Sequence, residues 1–136
     1  MDILDTLENK LRQQLKDNPS LILPNADNVL VDERKYTHYL FGGSNEDGLI
    51  KGRLITKKLG YNISNYHEFD KKIKQAVKEF PAVFKTASEY GNLYEIVSVI
   101  HGLTGDKAKV VIGAIIITDI SQVTSIYIKE VKITEV

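Results

Sequence analysis

The residues able to do chemistry fall in a few short stretches. "LIKGRLITKKLGY" (49–61) holds Lys51, Arg53, Lys57 and Lys58. A helix over 49–59 places Arg53 and Lys57 one turn apart on one face. Lys51 and Arg53 then stand at the helix start beside the glycine-rich stretch "GGSNEDG" (42–48), where backbone N–H groups favour an anion. Arginine offers a bidentate fork and lysine a point charge, so this pair suits a phosphate. Glu46 and Asp47, just upstream, oppose one. The same cations also read as the wet rim of an apolar seam made by Leu54, Ile55 and Leu59.

Proton transfer has three candidates: His38 in "KYTHYLF", and Ser125 and Tyr127, two residues apart on one face of a strand. Tyr90 and Tyr94 are candidates to line a cleft, although tyrosine also suits a half-buried pleat for packing reasons alone. His38 reads equally as a structural residue. His67 at a helix start and His101 at a strand end read as surface residues. The three histidines sit on different elements, and no HxxxH, HExxH or DxDxDG pattern occurs, so no metal site is expected. GxxxxGK[ST], a dinucleotide fingerprint and GxSxG are likewise missing from the sequence, and no cofactor is expected. Without cysteine there is neither a disulfide nor a thiolate nucleophile.

The elements that must position these groups follow from periodicity. Ile3, Leu4, Leu7, Leu11 and Leu15 recur at helical spacing over 2–17, and "DNPS" ends that helix. Leu7, Leu11 and Leu15 could form a homodimer seam or fold back on the domain. Asp32 caps a short helix through 33–41. A helix over 49–59 ends at Gly60, and another over 65–79 carries Tyr66, Phe69, Ile73 and Val77, with Phe80 following. Lys71, Lys72, Lys74 and Lys78, mixed with acids, mark its solvated side.

Beyond Pro81 the texture changes to Val, Ile, Tyr and Thr in four stretches broken at "EYG", "GLTGD" and "DIS". Helices first and strands after predict an α+β fold, with N-terminal helices packed on a C-terminal antiparallel sheet of about four strands. The third strand, "KVVIGAIIIT", is apolar throughout and belongs in the centre. Residues 1–20 read as an amphipathic appendage and 21–136 as one domain. With 136 residues, 18 basic and 18 acidic, the chain has no bulk pull toward nucleic acid or a membrane. No apolar run reaches spanning length and no leader is legible, so a cytoplasmic, non-membrane protein is expected.

The blocks "LPNADNVLVDERKYTHYLF", "KGRLITKKLGY", "EYGNLYEI" and "VTSIYI" together resemble an uncharacterised domain family of bacterial polymorphic toxins and mobile elements. The resemblance runs from about Leu23 to Ile128. It implies an α+β fold of the barnase–EndoU–colicin–RelE kind, whose toxins are usually metal-independent ribonucleases. It aligns Lys51 and Arg53 with a basic block, Tyr90, Gly91 and Tyr94 with a Tyr-Gly motif, and Ser125 and Tyr127 with a terminal Thr-x-Tyr. The family's penultimate strand commonly carries a basic or hydroxyl residue and a Trp, which "VVIGAIII" lacks. Two readings stay open. One is a non-enzymatic accessory or binding protein of a phage or mobile element, with an RNA or protein partner. The other is a metal-independent ribonuclease-type toxin domain. An enzyme acting on a small molecule has no residue that speaks for it.

Overall fold

A computed structural model describes residues 2–89 and 91–116 in full, and 123–132 as backbone. Helix α1 spans Ile3–Asp17. The Asp2 side chain caps it by accepting from the Asp5 N–H at 2.7 Å. Its leucine stripe turns inward: Leu4 is buried, and Leu7 and Leu11 pack against the core. Two short 3₁₀ turns follow, Pro19–Leu21 and Ala26–Asn28.

The predicted helix over 33–41 is a different object. Asp32 caps as expected, accepting from the Arg34 N–H at 2.9 Å. The turn Tyr36–Leu40 then widens to π geometry, closing with Phe41 N–H on the Tyr36 carbonyl at 2.8 Å. Such turns are rare and recur at functional sites.

Helix α2 spans Glu46–Leu59, so it starts three residues earlier than its hydrophobic pattern predicts. Asn45 caps it by accepting from the Gly48 N–H at 3.1 Å, and Glu46 and Asp47 complement the positive end of the helix dipole. Lys51 and Arg53 are therefore well inside the helix and not at its start. Gly60, at φ 83°, ends the helix as predicted.

Helix α3 spans Tyr66–Glu79 and buries Phe69, Ile73, Ala76 and Val77. The sheet follows: β1 Ala82–Ser88, β2 Gly91–His101, β3 Lys107–Ile116 and, as backbone, β4 Val123–Lys132. Three strands are thus described with their side chains. All pairings are antiparallel and in chain order, which makes β1 an edge. The predicted hairpin break between β2 and β3 turns at Gly105, φ 86°. Strand β3 is central: Ala108, Val110, Ile112 and Ala114 are all at 0% exposure, and Val111 and Gly113 between them are also buried. Opposite Ala108, Val110, Ile112 and Ala114 on β2 stand Ile100, Ser98, Ile96 and Tyr94. Ser98, the one buried polar residue among the described residues apart from the tyrosines, is satisfied by donating to the Val110 carbonyl at 2.8 Å. No helix among the described residues is long and apolar enough to cross a membrane.

Candidate binding cleft on the second helix

The cleft begins with two glycines one turn apart. A β-carbon on Gly52 would sit 1.7 Å from the Leu40 carbonyl oxygen, and one on Gly48 would sit 2.4 Å from that of Tyr39. Only bare backbone at both positions lets α2 lie directly on the π turn. This contact brings Leu40 and Phe41 against Leu49, Gly52, Arg53, Thr56 and Lys57, with Asn62 and Ile63 closing the far side. The resulting cleft is about 400 Å³.

Its walls are fixed by local bonds. Thr56 donates its hydroxyl to the Tyr61 carbonyl at 2.6 Å, across the end of α2. The Asn62 side chain accepts from the Ser64 N–H at 2.8 Å, and the Asn65 amide donates to the Gly60 carbonyl at 3.1 Å. The opposite wall is held from below. Buried Tyr36 donates its phenol to Asp70 at 2.8 Å, and Asp70 is paired with Lys74 at 2.9 Å. The Tyr36 ring stacks on Tyr66 at 5.8 Å and meets Phe69 edge-on at 6.1 Å. Burial first, then the Asp70 carboxylate, pushes the Tyr36 phenol far above its ordinary value. Tyr66 donates to Glu33, which raises the Tyr66 phenol as well, and His67 lies 3.9 Å from the same carboxylate. These contacts clamp the π turn onto α3.

Chemically, the cleft has an apolar floor and two cations at its rim. Arg53 and Lys57 are both exposed and have no ion-pair partner among the described residues. Other cations are already used. Lys58 meets Asp106 at 3.7 Å and Lys78 meets Asp27 at 3.5 Å.

Of the site residues nominated from sequence whose side chains the structure describes, Arg53 alone lines this cleft. Arg53 lines the cleft, but Lys51 lies on another flank of α2. There its ammonium donates to the Tyr39 hydroxyl at 3.2 Å and stands 5.5 Å above that ring. His38 is exposed on the π turn, with Nδ1 at 2.7 Å from the Thr37 hydroxyl. Tyr94 packs edge-on against Phe84 at 5.6 Å and is not among the residues lining the cleft. Tyr90 lies outside the described residues. Ser125 and Tyr127 pair by backbone with Ile115 and Gly113, and their side chains lie outside the described residues. His101, read as a surface turn residue, is bonded to Glu8 at 2.7 Å. Sequence reasoning missed Leu40, Phe41, Asn62 and Ile63, because nothing local marks them. The signal that could have found them is the glycine pair Gly48 and Gly52, at a spacing of four, which sequence reasoning did not use. Among the described residues no three His, Cys, Asp or Glu side chains converge as a metal site would need.

Comparison with known proteins gives one family: a domain of unknown function (DUF6883) matches residues 22–130. No curated protein and no solved structure matches the chain.

Proposed function

We propose that this chain, which belongs to the DUF6883 family, is a non-enzymatic binding module whose cleft on α2 receives an acidic, apolar segment of a partner protein. The observation that carries this reading is the pair Arg53 and Lys57, unpartnered among the described residues at the mouth of an apolar cleft. Like charges one helical turn apart disfavour each other by a few tenths of a kcal/mol. A carboxylate from outside relieves that repulsion. Affinity comes chiefly from the floor, where burying one Leu or Phe anchor is worth about 1.5–3 kcal/mol. Rim pairs add roughly 0.2–1 kcal/mol each and mainly choose the partner. The accessory role in a phage or mobile element rests on the sequence resemblance, and a cytoplasmic location, expected from the composition, belongs to the same proposal.

The test is a peptide library displayed against the full chain. The selected peptides should place Asp or Glu beside Leu, Ile or Phe. They should shift the amide resonances of Phe41, Gly52 and Ile63, and bind about tenfold or more weakly to Arg53→Glu/Lys57→Glu. Peptides that bind the doubly reversed variant equally well would overturn the reading.

One feature favours a second reading, the metal-independent ribonuclease-type domain. His38 is exposed on the same turn that supplies Leu40 and Phe41 to the cleft wall. In that reading Arg53 and Lys57 hold phosphate and His38 takes the 2′-hydroxyl proton, whereas Lys51, nominated with Arg53 from sequence, is bonded to Tyr39 on another flank. Overall neutrality weighs against it, since RNA affinity draws on several cationic contacts. Cleavage of total RNA in EDTA, lost in His38→Ala, is its expected result. RNA left intact by micromolar protein refutes it.

A further inference from the structure

Helix α1 lies wholly before the matched region 22–130, yet it docks on that domain as a fitted part. Its anchoring runs from Asp2 to Arg12, with Leu7 and Leu11 packed against the core. Leu4 is the one buried side chain of the helix. Around it, acids meet bases at the end of the β2–β3 hairpin: Asp2 reaches Lys107 at 3.4 Å, Asp5 pairs with the same ammonium, and Glu8 meets His101 at 2.7 Å. Further along, Arg12 lies 4.5 Å from the Phe80 ring centre and 3.8 Å from Glu79. Beside that contact runs a groove of about 580 Å³, lined by Asn9, Arg12, Gln13, Leu15 and Lys16 of the helix and by Glu79.

The connection out of α1 is well suited to reorientation. Asn18 leaves helical geometry at φ −139° and ψ 85°, and Pro19 cannot extend the helix. The chain is next fixed at Leu23, 1% exposed. Partly exposed ion pairs contribute little each, and terminal elements with few buried contacts open at the lowest free energy.

We propose that the surface holding α1 is an interaction site for the α1 of a second copy, and that the two copies exchange their first helices. The occupant is specified by complementarity already present in the chain. Acidic Asp2, Asp5 and Glu8 face basic Lys107 and His101, with Leu4 between them, and an identical chain offers the same set. Exchange preserves the contacts α1 makes with the β2–β3 hairpin and with Glu79 and Phe80, changing only those at the hinge, which is why swapping is a low-cost route to dimers. None of the cleft residues on α2 takes part.

The test uses the unmodified full chain. Equal amounts of ¹⁵N-labelled and unlabelled protein are mixed, held at high concentration, and treated with a zero-length carboxyl–amine cross-linker. Monomer and dimer are then separated and digested. The expected result is a dimer in which about half of the Asp2 or Asp5 to Lys107 cross-linked peptides join a labelled to an unlabelled chain, against none in the monomer. Two results overturn the proposal: no dimer up to the solubility limit, or a dimer whose Asp–Lys107 cross-links all stay within one isotope.

Discussion

Replacing Gly52 with alanine tests the contact on which the cleft depends. Judged by helix propensity alone, the change should stabilise α2, because an interior glycine costs about 1 kcal/mol relative to alanine. The structure reverses that sign. The added β-carbon would meet the Leu40 carbonyl oxygen at 1.7 Å and its carbon at 2.6 Å. Both are backbone atoms, so no rotamer relieves the clash. The π turn must retreat by more than an ångström, taking with it Leu40, 2% exposed, and the Tyr36 phenol bonded to Asp70. Overpacking a tight contact costs about 1–3 kcal/mol, and a backbone clash belongs at the top of that range. After the propensity gain, a net loss of about 2 kcal/mol remains. For a chain of this size that lowers Tm by roughly 6–8 °C. Urea unfolding followed by circular dichroism measures the change as a shift in midpoint at constant slope. The exposed Lys57→Ala serves as a control and should move stability by less than about 0.5 kcal/mol. A Gly52→Ala protein as stable as the parent, or more so, would refute the close approach of α2 to the π turn.

Other expectations concern the clamp and the core. Tyr36→Phe leaves a partly buried Asp70 short of a donor and should cost about 1–2 kcal/mol in the same unfolding assay. Because the folded state raises the Tyr36 phenol, its neutral form is favoured by folding. Stability should be intact below the unfolded value near 10 and fall above it by up to about 1.4 kcal/mol per pH unit. Absorbance at alkaline pH should show Tyr36 ionising only as the protein unfolds, and a normal titration in the folded state would contradict its burial. Asp32 behaves oppositely: the Arg34 guanidinium and N–H hold its carboxyl down to about 2. Its contribution is complete above the unfolded value near 3.8 and fades as pH falls toward 2, and Arg34→Ala should return the midpoint in a carboxyl NMR titration toward 3.8. Phe69→Ala removes a fully buried ring in contact with Tyr36, Phe41 and Tyr61, and should cost about 3–5 kcal/mol.

The sequence by itself determined the order of elements, the faces of α1 and α3, the glycine stop of α2 at Gly60, and the hairpin at 102–106. These follow from patterns that repeat within a few residues, so each is legible without its neighbours. It also marked Arg53 and Lys57 as sharing one helical face. Tertiary structure decided what those faces meet. Lys51 and Arg53 are two residues apart, yet one is spent on Tyr39 and the other is left at the cleft, because a helix turns just over half a circle between them. The start of α2 moved to Glu46 once Asn45 supplied a cap that hydrophobic spacing does not register. Leu7 and Leu11, equally fit to form a seam between molecules, pack on their own core. The widened turn at Tyr36–Leu40, and the bond from Tyr36 to an aspartate 34 positions away, depend on how α3 is seated against it. Periodicity records which side of an element is apolar. It carries no record of the distance and register between elements, and those two quantities make the cleft.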